Sequence, residues 1–74
     1  MQLTYKVLLH KEDAGGYTAT VPSLPGCITF GDNIDHVLEM VREAIEIYIE
    51  DLKERGEHIP DDSFTLEYSL SLTA

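Results

Sequence analysis

The chain has no tryptophan, one cysteine, three prolines and only five lysines and arginines. Each shortage excludes something. A lone cysteine, Cys27, leaves no intrachain disulfide and fits a reducing compartment. Five basic residues scattered along the chain form no patch, so this chain by itself is a poor nucleic-acid binder. No apolar run approaches the roughly 20 residues that span a bilayer. The first residues open directly into a strand pattern with no secretory signal. These features point to the cytoplasm. His10, His36 and His58 stand far apart, without HxxxH or CxxC spacing, so no zinc site is expected. No helix follows Gly15-Gly16 directly, so that pair is a hairpin turn and not a phosphate loop. No cofactor is expected.

What the chain has in excess is acid. Fourteen Asp and Glu give a net charge of −9 over 74 residues. The excess is uneven, with eleven acids against three bases between positions 32 and 62. A stripe of this kind either solubilises a solvated helix face or steers a basic partner. The length makes one domain, burying only about 60% of its unfolded surface, so association would help its stability. The 43% hydrophobic content excludes a disordered chain.

Residues 34–55 read as one amphipathic helix. Asn33 is the N-cap, Asp35 sits in the first turn, Lys53 and Arg55 in the last, and Gly56 takes the left-handed position beyond it. At about 100° per residue, Ile34, Val37, Leu38, Val41, Ala44, Ile45, Tyr48 and Leu52 share one face. Glu39, Glu43, Glu46, Glu50 and Glu54 stand nearly opposite. Met40 and Ile47 belong to neither stripe and lie together on a flank, with His36 beside them. They are either spill-over from the core or a contact with a subunit or partner.

Ahead of the helix, residues 2–10 alternate Leu3, Tyr5, Val7 and Leu9 with polar side chains, which predicts a strand. Leu8 breaks the pattern on the polar side. A turn at 11–16 leads to a second, antiparallel strand at 17–21. Pro22 and Pro25 then end regular pairing. Leu24-Pro25-Gly26-Cys27 fits a type II turn, and residues 27–30 form a short third strand. After the helix, Phe64, Leu66, Tyr68, Leu70 and Leu72 alternate with polar residues, which predicts a fourth. The expected fold class is α+β, in the order β-β-β-α-β. A right-handed crossover places the fourth strand beside the first in a four-stranded sheet of order 3-2-1-4, with one helix on one face. The open face then carries Thr4, Lys6, Leu8, Thr18, Thr20, Thr65, Glu67, Ser69 and Ser71. The fourth strand is an edge, and its apolar residues invite a second chain.

Residues 21–50, V-P-S-L-P-G-C-I-T-F-G-D-N-I-D-H-V-L-E-M-V-R-E-A-I-E-I-Y-I-E, resemble the HicB-like antitoxin family. Its members show a Pro-x-x-Pro-Gly-Cys turn, a short strand, Gly-Asp and a helix with an Ala…Tyr pattern. The preceding G-G-Y-T-A-T-V also matches, as does the opening strand with Tyr5. The resemblance implies a truncated RNase H-like fold. It also implies the antitoxin half of a two-protein module, which blocks HicA, a small basic toxin that cleaves mRNA. Asn33 stands where Ser or Thr is usual, and Asp35-His36 where two acids are common. Many relatives carry a further DNA-binding segment. With Ala74 directly after the fourth strand, a single domain without that segment is expected, and no direct nucleic-acid binding.

The RNase H likeness raises a nuclease test. Such an enzyme needs carboxylates converging on metal ions from several strands. The first strand carries no acid, and Glu67 is alone in the fourth, so no enzyme and no metal site are expected. Cys27 beside a Pro-Gly turn reads as a small buried hydrophobe. Two functions remain. One is a HicB-like antitoxin that binds and neutralises a HicA-type toxin. The other is an orphan self-associating scaffold, or a small-ligand-binding domain, of the same fold. A homodimer or higher form is expected in both. The candidate contact residues are His36, Met40 and Ile47 on the flank, and Glu39, Glu43, Glu46 and Glu50 on the acidic face. Leu8 on the open sheet face and Phe64, Leu66, Tyr68 and Leu70 at the sheet edge complete the set.

Overall fold

A computed structural model describes residues 2–74. Three strands precede one helix: β1 (Leu8–Lys11), β2 (Tyr17–Thr20), β3 (Ile28–Gly31) and α1 (Ile34–Glu54). The strands form an antiparallel meander in the order β1-β2-β3, with Leu8 opposite Thr20 and Thr18 opposite Phe30.

The turn between β2 and β3 follows from its prolines. Cys27 N–H donates to the Leu24 carbonyl at 2.9 Å, and Gly26 takes φ 83°, as a type II turn requires. Leu24 is driven fully inside and joins Ala19, Val21, Cys27, Val37, Val41 and Leu52 in the core. The helix packs mainly on β3 and β2. Gly31 makes this approach possible, because a Cβ there would lie 2.4 Å from the backbone nitrogen of Val37. Both helix ends are capped as the sequence expects. The Asn33 side chain accepts from His36 N–H at 2.8 Å. Beyond Arg55, Gly56 at φ 66° lets Gly56 N–H reach the Lys53 carbonyl and Glu57 N–H reach Leu52, a Schellman ending.

The four-stranded sheet of order 3-2-1-4 is not formed. Among the described residues the sheet has three strands, and the β-β-β-α order ends at the helix. The cause is local to Asp62. Asp62 N–H donates to the Thr4 carbonyl at 2.7 Å, which is one rung beside the first strand's approach. The next rung is taken by a side chain, since Lys6 N–H donates to the Asp62 carboxylate at 2.8 Å. The Asp62 carbonyl then accepts Thr65 N–H in a turn. Residues 64–74, here called the arm, follow that turn and carry no helix or strand. Phe64 is 100% exposed and Leu66 92%.

The first strand is also shorter than its alternation predicts, starting at Leu8 in place of Gln2. Ladder pairing onward from Leu8–Thr20 would bring Lys6 opposite Pro22, which has no N–H to give. The stretch 2–7 is held instead by the 60–62 connector. Tyr5 donates its hydroxyl to the Pro60 carbonyl at 2.6 Å, and Thr4 N–H meets the Asp61 carboxylate at 3.3 Å.

Candidate partner-binding surfaces

Three exposed surfaces carry the sequence's candidate residues, and the first two meet at Ile28. The first is the helix flank. Ile47 is 69% exposed, and Met40 is half-buried one heptad before it. Ile47 lines a groove of about 480 Å³ with Gly26, Cys27, Ile28, Ala44, Tyr48 and Asp51. The Tyr48 hydroxyl donates to the Pro25 carbonyl at 2.8 Å, which ties the helix to the proline turn and fixes the groove's floor. Glu43, Glu50 and Asp51 lie three or four positions from Ile47, so they border it on the helix surface. Glu39, Glu43, Glu46 and Glu50 are all exposed.

His36 is exposed beside this flank and also takes part in the helix cap. Its backbone N–H is the one capped by Asn33, and its Nδ1 accepts Asp32 N–H at 3.0 Å. The same Nδ1 lies 3.8 Å from the Asp32 carboxylate.

The second surface is the open sheet face. Leu8 is there, 45% exposed, but it is not isolated on a polar field. Ile28 and Phe30 stand opposite Thr20 and Thr18 on the same face, 60% and 49% exposed. Neither is among the open-face residues that the alternation predicts. The signal was present in I-T-F-G: Gly31 must face the helix to let it approach, which turns Ile28 and Phe30 outward.

The third surface is the arm with Phe64, Leu66, Tyr68 and Leu70, none of which the structure brings to the helix flank. The arm leaves from a polar knot. Asp62 is buried and takes the Ser23 hydroxyl as well as Lys6 N–H. Those bonds, led by Ser23, hold its carboxyl below the usual aspartate range. Asp61 is lowered too, chiefly by the Ser63 hydroxyl. Tyr5 beside them is raised, first by burial and then by the two aspartates.

The chemistry on offer is limited. Cys27 is buried and its thiol is pushed up by burial, so it is a poor nucleophile. Among the described residues no three His, Cys, Asp or Glu gather to hold a metal ion. No described helix is long and apolar enough to cross a membrane.

Residues 5–71 match the family of HicB-like antitoxins of bacterial toxin-antitoxin systems. The chain belongs to the HicB-like antitoxin family. It is similar to a UPF0150 protein of Thermoplasma acidophilum, 43% identical over 61 residues, which covers 82% of this chain and 88% of that protein. A UPF0150 protein of Archaeoglobus fulgidus is 42% identical, covering 77% of this chain and 86% of its own length. A third, from Synechocystis, is 40% identical over 85% of this chain and 80% of that protein. The matched span includes the arm up to Ser71, so the family pattern does not stop at the folded body.

Proposed function

We propose that this HicB-like domain acts in the cytoplasm as an antitoxin, binding and neutralising a small basic toxin of the HicA type. It works by contact and carries out no reaction of its own. The observation that carries this reading is the apolar groove at Ile47 set inside an acidic surround. Apolar area supplies the grip, with Ile47 and Ile28 in the groove and Met40 beside it. The exposed acids raise the rate of encounter with a cationic partner. A toxin that holds RNA must present cations at its active site, and an acidic helix face competes for that surface.

The test is co-expression with the product of a neighbouring reading frame that encodes a small basic protein. The wild-type chain should relieve growth arrest and co-purify with that protein. Ile47→Lys should lose both while keeping the helical circular dichroism of the wild type, since Ile47 is exposed. A toxin that stays lethal beside the wild-type chain, with no complex formed, ends the reading.

A further inference from the structure

Beside the first strand, the 60–62 connector already bonds to Thr4 and Lys6. At the other side of the sheet, no strand lies beyond β3 among the described residues. The ladder fixes which backbone groups face outward there. Val21 N–H donates to the Cys27 carbonyl at 3.1 Å, so Val21 and Cys27 form a bonded rung. Bonded and unbonded pairs alternate in an antiparallel ladder, which makes Ala19–Thr29 and Tyr17–Gly31 the next bonded rungs. The N–H and C=O groups of Ile28 and Phe30 therefore point away from β2. The next outward N–H, that of Asp32, goes to His36 Nδ1 at 3.0 Å and closes the row. The strand I-T-F-G holds no lysine and no proline, the residues that commonly guard an open edge.

This edge separates two sets of exposed apolar side chains. Val37 sits at Gly31, while Ala44 and Ile47 line the groove with Ile28, so α1 runs back along β3. Met40, one heptad before Ile47, lies on the same side of the helix. Ile28 and Phe30 occupy the open face below.

We propose that an extended segment of the basic partner adds to the sheet along the outer edge of β3, as a strand supplied from outside. This rests on the reading of the chain as the binder of a small basic protein. Main-chain bonds to Ile28 and Phe30 hold the segment. Its side chains, alternating by two, fall in turn into the groove at Ile47 and onto Ile28 and Phe30. One occupant thus covers both apolar sets. About five residues, roughly 17 Å of strand, span the edge.

Charge selects a basic segment. Glu43, Glu50, Asp51 and Glu54 lie within about 60° of Ile47 around the helix. Asp32 stands exposed at the end of the edge. The cation nearest this flank, Arg55, is already bonded to Asp51 and Glu57. A second copy fits poorly, since antiparallel pairing of two β3 edges sets these acid flanks side by side.

The test uses the wild-type chain with the small basic protein of the neighbouring reading frame. Amide exchange at Ile28 and Phe30 should be fast in the chain alone and at least about tenfold slower in the complex. Thr29 and Gly31, bonded to β2, should be protected in both. Ile28→Pro removes one outward N–H without touching the pairing to β2, and should weaken binding more than about twentyfold. Ile28→Val keeps that N–H and should bind within about fivefold of wild type. Circular dichroism of the free variants separates lost binding from lost fold, and if Ile28→Pro does not fold, the exchange measurement decides. A complex in which the Ile28 and Phe30 amides stay fast, or one indifferent to Ile28→Pro, overturns strand addition and leaves the antitoxin reading standing. No complex at all ends both. Protection of these amides in the pure chain as its concentration rises gives the edge to a second copy and overturns the proposal.

Discussion

Gly31 faces the backbone of Val37 with no room for a methyl group. The clash is with backbone, so it is not relieved by a rotamer change. Gly31→Ala should cost about 1–3 kcal/mol, read as a lower urea midpoint with an unchanged slope. Leu24 is fully buried, and Leu24→Ala should cost about 2–5 kcal/mol. A domain of this length holds only about 3–5 kcal/mol in its core. The second variant should therefore be largely unfolded by circular dichroism. Asp61 and Asp62 set the acid limit. Both have folded values below the ordinary 3.8, so their contribution is fully present above that value. It is lost as pH falls below 3.8 through their lowered values. Asp62→Asn should flatten the loss of stability in an acid titration followed by circular dichroism.

At the scale of elements, the helix was legible almost residue by residue. Its caps rest on short-range chemistry that one stretch of sequence contains whole. Asn33→Ala should cost about 1 kcal/mol, measurable as a fall in Tm, because it orphans His36 N–H. The hairpin and the proline turn were equally legible, since glycine and proline act through backbone geometry alone. The fourth strand was not. Alternation at 64–72 states which residues share a face, but pairing also needs a free neighbour. That neighbour's N–H at Lys6 is claimed by a side chain 56 positions away. No pattern within the segment records this. The shortened first strand has the same origin, because Pro22 acts from across the ladder.

For the whole molecule, the candidate surfaces were legible as residues but not as places. Met40, Ile47 and the glutamates stayed together because one helix carries them. Leu8 lies on a different face, and Ile28 and Phe30 reached it unannounced through the packing of Gly31. Charge acts at this scale. If the acidic helix face guides a basic partner, the association rate should fall steeply with added salt. The Glu43→Gln, Glu46→Gln pair should slow it about tenfold at low ionic strength in stopped-flow mixing, with a smaller change in dissociation.

The tyrosines give this chain a built-in optical reporter. With no tryptophan present, its ultraviolet emission comes from four phenol rings. Tyr5 and Tyr48 are tied to carbonyls and Tyr17 is half-buried, whereas Tyr68 rides on the arm with 84% of its surface in water. Acrylamide should therefore quench one fluorophore far more readily than the rest. Any event that captures the arm should shrink that accessible fraction without a label being attached.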